Sequence, residues 1–281
     1  MKSFIVTADD YGMCTIVDKA IDDCIQAGLL TSTNVIVNME DMEAARDLRQ
    51  RFPTVSIGLH WNVTAGKPIS EINKVSSLIN PQTGEFWKVP QFTLRFKNGM
   101  ISKDELKREL VAQYEVFCSL CGRPDYWNTH QNSALSLYTY SFFNHVALEL
   151  GINKTRSFRR VYIKDKGLGV KDAVKEFIKK IALDIWFGKV IPKTGTRMPD
   201  GRMIYFNSSD KTNDMKNIGE NVEWGKKNIV ELVIHPAISS EHPSFGTITT
   251  ERVAEWKLFT NPSTKDYFDS LGIQLTTFNK I

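Results

Sequence analysis

The sequence predicts an α/β protein with a mostly parallel sheet. Short apolar runs with strong strand preference alternate with amphipathic helical segments almost throughout the 281 residues, which is typical of parallel βα units. About six or seven such units indicate a closed or nearly closed barrel rather than an open sheet. Because no Gly/Ser-rich linker and no internal repeat interrupts the alternation, we expect a single domain over residues 1–281.

The first half of the chain alternates clearly. A β-branched and aromatic run begins at Phe4, and a helix with apolar residues three and four apart lies between Gly12 and Gly28. Residues 62–100 show no sustained period and predict a long loop with short elements. The other expected elements of this half are strands at 31–38, 55–61 and 126–130, and helices at 41–52 and 103–121.

The second half continues the pattern with weaker signals. Its strongest strand is the apolar run Ile229–Ile234, which leads directly to His235 and Pro236. The other expected strands are 157–163, 203–206 and 273–278, and the expected helices are 141–150, 171–187, 250–259 and 263–271.

Composition is that of an ordinary globular protein, with 42% hydrophobic and 24% charged residues and a formal net charge of +4. The N-terminus lacks a secretory apolar region, and no window approaches the roughly 18 apolar residues of a membrane span. We therefore expect a cytoplasmic protein with no membrane partner. Residues 153–180 hold ten Lys or Arg against three Asp or Glu. We interpret them as a solvated helix face. Because this segment lacks interleaved aromatic residues suited to base stacking and the overall charge is small, we expect no nucleic-acid partner.

The four cysteines are too few for a disulfide scaffold in a chain of this length. Cys118 and Cys121 form a C-x-x-C, but it lies within a helical pattern and no second C-x-x-C completes a zinc site. At positions i and i+3 they share one helical face, so core packing is the favoured interpretation.

Candidate functional side chains stand at the ends of four predicted strands. They are the pair Asp9 and Asp10, and the histidines His60, His130 and His235. An acidic pair alone would equally fit a turn and helix cap, and a lone histidine is most often a packed residue. Because the carboxyl ends of parallel strands meet at one rim of a barrel, the combination indicates an active site.

Metal-assisted hydrolysis is the chemistry that fits this combination. Two imidazoles and one carboxylate leave open positions on a divalent ion, where water can lose a proton near neutral pH. A second carboxylate can accept that proton, and a remaining histidine can protonate the leaving group. The sequence has no G-x-S-x-G elbow, Walker loop or G-x-G-x-x-G loop, which disfavours serine hydrolase and nucleotide chemistry.

Ordered sequence blocks resemble the YdjC-like carbohydrate deacetylase family. The blocks are T-A-D-D-Y-G-M, G-L-L-T-S-T-N-V-I-V-N, G-L-H-W-N-V-T-A-G-K-P, G-R-P-D-Y-W-N-T-H-Q and E-L-V-I-H-P-A, in family order from residue 5 to about 237. The C-terminal block E-R-V-A-E-W-K-L-F-T is similar too, so the resemblance covers the whole chain.

This resemblance implies a distorted TIM-like barrel that removes acetyl groups from N-acetylated sugars. It implies a divalent metal ion bound by Asp10, His60 and His130, with zinc and magnesium both open. It also implies Asp9 as general base and His235 as general acid. A small carbohydrate substrate and a homodimer are the partners that it suggests.

The chain departs from the family at two positions. Where the family usually reads D-S-H-Q-H, residues 128–132 read N-T-H-Q-N, so that Asn128 and Asn132 replace a carboxylate and a histidine. Two alternatives therefore stay open. The protein could be another metal-dependent amide or ester hydrolase, or a saccharide-binding homologue with impaired catalysis.

Further residues are candidates for contacts with a sugar. Tyr11, Trp61 and Trp87 are aromatic residues whose faces could pack against a sugar ring, although ordinary packing explains each equally well. Arg156 lies where the family tends to carry an arginine at a strand start, and Arg252 lies in the C-terminal block. Either could bind hydroxyls, a carboxylate or a phosphate, although a solvated arginine is the default interpretation of both.

Overall fold

The structure is a computed structural model that describes residues 2–134, 138–159, 161, 181, 185, 194–204, 218, 222, 224–246 and 248–281. The chain divides into two compact units. The first comprises Met1–Ala8, Ala20–Ser32 and Lys154–Ile281, and the second comprises Asp9–Lys19 and Thr33–Asn153.

The described strands are β1 (Lys2–Tyr11), β2 (Ser32–Val35), β3 (Ser56–Trp61), β4 (Ile79–Asn80), β5 (Glu85–Phe86), β6 (Trp127–Thr129), β7 (Gly201–Ile204), β8 (Ile229–Ile234) and β9 (Ile273–Leu275). The described α-helices are α1 (Thr15–Gln26), α2 (Leu48–Arg51), α3 (Val89–Lys97), α4 (Lys103–Cys121), α5 (Tyr140–Glu149), α6 (Thr250–Phe259) and α7 (Pro262–Ser270). Strand β1 pairs in parallel with β8 and with β9. The pairs β3–β6 and β7–β8 are also parallel, whereas β4 and β5 form a small antiparallel pair. The predicted α/β class with a mostly parallel sheet is confirmed.

In the first unit, β8 lies between β1 and β7. Residues Ser3–Ala8 of β1 pair with Ile229–Ile234, and β7 pairs with the other edge of β8. The strand reads as an almost continuous apolar run because both faces of a parallel strand are covered. On β1, the Phe4 ring packs against Phe268, with ring centroids 5.5 Å apart.

In the second unit, β3 and β6 run side by side, and His60 is the register partner of Asn128. Helix α4 packs against β3, and its observed bounds, Lys103–Cys121, are those that periodicity predicts. The Ser102 hydroxyl accepts the backbone N–H of Glu105 and caps its N-terminus. Gly122, with a φ of 72°, ends it.

The prediction of one helix over residues 41–52 is wrong. The segment forms a 3₁₀ turn at Met42–Ala45 and the one-turn helix α2. Asp47 lies between them with a φ of 59°. A helix cannot continue through a left-handed residue, so the apolar spacing here does not reflect one continuous helix.

Other differences concern irregular segments. The stretch 62–100 contains short elements as predicted, namely two 3₁₀ turns, the β4–β5 pair and α3. The described residues of the predicted strand 157–163 form no regular strand, although the backbones of Arg159 and Val161 hydrogen-bond to that of Arg202. The last strand ends at Leu275 rather than 278. The predicted helix 171–187 lies outside the described residues, apart from 181 and 185.

Within the part of the chain that the structure describes, no helix is both long enough and apolar enough to cross a bilayer. The prediction of one domain over residues 1–281 stays a prediction.

Candidate metal centre

Asp10, His60 and His130 come together at the carboxyl ends of three strands of the second unit. The Asp10 Oδ1 atom lies 3.0 Å from His130 Nδ1 and 3.5 Å from His60 Nε2. The potential ligand atoms of the three residues all lie within 4.8 Å of one another. The three residues are 1%, 1% and 7% exposed, so they form a compact, buried set of oxygen and nitrogen donors.

The backbone around this site is in an unusual conformation. Asp10, at the end of β1, has a φ of 76°, and Gln131 and Asn132, directly after His130, have φ values of 52° and 54°. Such values are uncommon for residues with side chains, and they concentrate at functional sites. A Cβ at Gly12, whose φ is 87°, would lie 2.6 Å from the Ile36 carbonyl oxygen, so glycine is required in the turn after Asp10.

His60 is held from the side opposite Asp10. Its Nδ1 atom lies 2.5 Å from Asn128 Oδ1, and both side chains are buried. The parallel register of β3 and β6 brings the two residues together. Asn128 therefore occupies the position of a partner that orients a metal-binding imidazole.

Asp9 has an asparagine partner as well. The Asn34 side chain, on β2, donates an N–H to Asp9 Oδ1 over 2.6 Å, and Asp9 is 3% exposed. Sequence reasoning missed Asn34. The available signal was a polar amide within the otherwise β-branched run T-S-T-N-V-I-V-N, where a buried polar group needs a partner.

The donor set fits a divalent metal ion. Two imidazoles and one carboxylate are the ligands of hydrolytic zinc sites, and imidazole suits zinc better than magnesium. One Asp10 oxygen near two imidazole nitrogens is the arrangement expected of ligands that share one cation. Among the residues that the structure describes, Asp10, His60 and His130 are the group of three side chains whose metal-binding atoms lie close enough together to bind one ion.

His235 lies in the first unit, directly after β8. Its backbone N–H donates to Glu255 Oε2 over 2.6 Å, and the Glu255 carboxylate, on α6, is completely buried. The backbone at His235 is therefore fixed by a charged group. The role of His235 as general acid stays a prediction.

Both predicted arginines are buried in contacts with the protein itself. The Arg156 guanidinium pairs with Glu231, with Nη2 2.9 Å and Nε 3.0 Å from Oε1. Arg252 Nε donates to the Ile248 carbonyl, and its guanidinium carbon lies 4.5 Å from the Phe245 ring centre. Their roles in substrate binding stay predictions. The same contacts would be expected of arginines that only stabilise the fold.

The predicted aromatic residues Tyr11 and Trp61 are also buried. The Tyr11 hydroxyl accepts an N–H from Arg51 over 2.8 Å. Trp61 is completely buried, donates its indole N–H to the Leu110 carbonyl over 2.9 Å, and packs against Trp127. These contacts favour ordinary packing for both residues, and their contact with a sugar stays a prediction.

Trp87 is more accessible than Tyr11 and Trp61. It lines a groove of about 350 Å³ together with Ile72, Ser76, Ile79, Pro81 and Arg95. The Arg95 guanidinium carbon lies 4.3 Å from its ring centre, so one face of the indole is already covered by a cation.

Comparison with known proteins identifies relatives along the whole chain. Residues 3–270 match the sequence family described as YdjC-like protein. A carbohydrate deacetylase of Xenopus laevis is 28% identical, with 99% of this chain and 97% of that protein covered. A chitooligosaccharide deacetylase of Proteus mirabilis is 25% identical, with 99% and 98% covered.

A solved structure shares the fold. It is a crystal structure from Enterococcus faecalis, of a protein to which cellobiose-phosphate cleavage is provisionally ascribed. It is 21% identical, covers 99% of this chain and 98% of that chain, and superposes with a TM-score of 0.77. The likeness over nearly the whole of both chains agrees with the predicted α/β fold and its mostly parallel sheet.

Proposed function

The chain belongs to the YdjC-like protein family, and on that basis we propose that it is a metal-dependent carbohydrate deacetylase. The reaction is hydrolysis of the acetamido group of an N-acetylated sugar, which yields acetate and the free amine. The relatives named carbohydrate deacetylase and chitooligosaccharide deacetylase support this class of enzyme.

The convergence of Asp10, His60 and His130 is the single observation that carries the proposal. These residues would hold the ion, for which zinc fits the donor set better than magnesium. When bound, the ion would polarise the acetamido carbonyl and lower the pKa of a water molecule.

The remaining steps fall to side chains. Asp9, oriented by the amide of Asn34, accepts the proton of the attacking water. His235, whose backbone is held by Glu255, donates a proton to the nitrogen of the departing amine. These two transfers leave a neutral amine and acetic acid, which ionises to acetate in solution, with Asp9 protonated and His235 neutral. Exchange of one proton with solvent at each group then restores Asp9 and His235 for the next turnover.

A small carbohydrate is the expected substrate. Tyr11, Trp61, Arg156 and Arg252 stay the sequence-based candidates for its contacts, but all four are buried, and the packing of Tyr11 and Trp61 favours a structural role for these two. The cytoplasmic location and the homodimer stay predictions from the sequence.

Acetate release tests the proposal directly. The purified protein is freed of metal with a chelator, reconstituted with Zn²⁺ or Mg²⁺, and incubated with N-acetylglucosamine, its short β-linked oligomers and acetyl esters of sugars. We expect acetate from the N-acetyl sugars only after metal is restored. Turnover of esters alone would favour a different hydrolase. Saccharide binding without any turnover would favour the catalytically impaired homologue.

A further inference from the structure

The contact between His60 and Asn128 determines where the imidazole carries its proton. The Nδ1 and Oδ1 atoms are 2.5 Å apart, and the two residues are 1% and 2% exposed. As register partners in parallel strands, they project to the same side of the sheet. The contact is therefore built into the strand pairing.

Hydrogen-bond chemistry then allows only one tautomer for this arrangement. A side-chain amide oxygen accepts and never donates, so His60 Nδ1 must carry the hydrogen. A neutral imidazole has a single N–H, so the lone pair lies on Nε2, the atom 3.5 Å from Asp10 Oδ1. Two acceptors that face each other at this distance repel unless a proton or a metal cation lies between them.

If the side-chain amide of Asn128 were rotated by 180°, the other tautomer of His60 would be expected. If Asn128 presented its NH₂ group, His60 Nδ1 would accept, and the hydrogen would move to Nε2. Nε2 would then point an N–H at Asp10 and could not bind a metal ion. The orientation of one amide thus separates a site competent for metal from one that is not.

We infer that Asn128 is a positioning residue that fixes His60 as the Nδ1–H tautomer and so keeps Nε2 available as the metal-binding atom. Its part in metal binding rests on the proposed function, but the tautomer itself does not. Because the amide is neutral, it polarises the imidazole less than a carboxylate would. We therefore infer that position 128 also limits how tightly the site binds its ion.

The tautomer can be measured on the metal-free protein. Histidines are labelled with ¹⁵N in the imidazole ring, and long-range ¹H–¹⁵N correlation spectra are recorded at about pH 8, where an ordinary imidazole is neutral. The His60→Gln variant identifies the signals of His60 among the five histidines. A protonated Nδ1 is expected. A protonated Nε2 would overturn the inference, whether or not the protein binds metal or turns over substrate.

Metal affinity provides the second measurement. Dissociation constants for Zn²⁺ are measured by competition with a chelator for the wild-type protein and for Asn128→Leu and Asn128→Asp. Loss of the acceptor in Asn128→Leu should weaken binding by roughly 10-fold to 100-fold, the usual effect of removing a partner of a metal-binding histidine. Asn128→Asp, which keeps the acceptor and adds charge, should bind at least as tightly as wild type.

His145→Gln alters an exposed histidine on α5, paired with Glu149, and should leave the Zn²⁺ affinity unchanged. Wild-type affinity and an unchanged tautomer in a folded Asn128→Leu protein would refute the inference. If circular dichroism shows that Asn128→Leu does not fold, Asn128→Asp decides, because weaker binding in that variant is contrary to the inference. A wild-type protein with the expected tautomer and no metal affinity would refute the proposed function alone.

Discussion

Asn34 donates its side-chain N–H to Asp9 Oδ1 over 2.6 Å, within the buried interior of the second unit. Asn128 holds His60 in a similar way. Two residues with proposed chemical roles thus each have a neutral amide partner. A neutral partner fixes the orientation of a carboxylate or an imidazole without adding a charge to the site.

Replacement of Asn34 by leucine should lower kcat by roughly 10-fold to 100-fold, because Asp9 loses the group that orients it. KM should change little, since Asn34 is not among the proposed substrate contacts. Steady-state acetate release measures both constants. In the wild-type protein the Asn38 side-chain amide donates to the Lys67 carbonyl rather than to Asp9, so Asn38→Ala serves as the control. An Asn34→Leu protein with wild-type kcat would contradict the role of Asn34.

Loss of His60 or His130 should remove the metal ion. In His60→Ala and His130→Ala, bound zinc measured by elemental analysis should fall to background. Activity should fall by at least about 100-fold, because a catalytic metal contributes several kcal/mol to transition-state stabilisation. The exposed His145 provides the matched control, and His145→Ala should retain both metal and activity. Retention of zinc by either site variant would exclude that histidine as a ligand.

Glu255 should contribute to both stability and catalysis through His235. In Glu255→Leu the backbone N–H of His235 loses its partner, which should lower the free energy of unfolding by about 1–3 kcal/mol. Glu255→Gln keeps an acceptor oxygen and should lose less. Urea denaturation measures the difference, and kcat of the folded variants reports on His235. Equal stability of the two variants would show that the hydrogen bond contributes little.

Trp61 should behave as a core residue. Trp61→Phe loses the hydrogen bond to Leu110 and part of its packing against Trp127, so the free energy of unfolding should fall by roughly 1–3 kcal/mol. KM should stay unchanged in this variant. The opposite result, a raised KM with unchanged stability, would support the sequence-based prediction of a sugar contact. Trp87→Phe, at the accessible groove, is the comparison.

Two buried thiols should make stability fall at alkaline pH. Burial raises the pKa of Cys121 to about 12. Burial, together with the negative charges of Asp23 and Glu255, also raises the pKa of Cys24 well above its ordinary value. Both thiols stay protonated in the folded state, whereas an unfolded chain releases these protons from about pH 9 upward.

Whether the free energy of unfolding rises or falls with pH depends on how many protons the folded and unfolded states bind. Above about pH 9 the folded state binds more protons than the unfolded state, so stability decreases by up to about 1.4 kcal/mol per pH unit for each thiol. Urea unfolding of wild type and of the Cys24→Ala and Cys121→Ala variants at about pH 8 and pH 10 measures the slopes. Each substitution should flatten the decrease. Identical slopes in all three proteins would contradict the raised pKa values.

The sequence was informative where strand endings carry the chemistry. Asp10, His60 and His130 each follow an apolar run, and the geometry of parallel strands requires that such endings meet at one edge. This argument predicted that such side chains share one edge, and the resemblance to the YdjC-like family then implied which three of them are the metal ligands. The sequence could not assign a role to Trp61, because a tryptophan next to a functional histidine gives the same sequence pattern whether it contacts a ligand or packs in the core.

Asn34 and Asp47 show what the sequence left out. A polar residue within a buried strand becomes meaningful only once its partner is known, and for Asn34 that partner lies 25 positions earlier. At Asp47 the backbone adopts a left-handed conformation that aspartate tolerates but does not require. Helical spacing of apolar residues continues across it, so periodicity alone predicts one helix where the chain forms two turns.

The alignment of β6 against β3 has a consequence for changes in chain length. Neighbouring residues of a strand face opposite sides, so a slip of β6 by one residue against β3 would turn Asn128 away from His60. Such a slip would alter none of the side chains that do the chemistry, yet it would dismantle their arrangement. The Asp125 N–H bond to the Ile57 carbonyl and the Leu59 N–H bond to the Tyr126 carbonyl hold the register, so we expect a one-residue deletion before β6 to be tolerated only if it leaves both bonds in place.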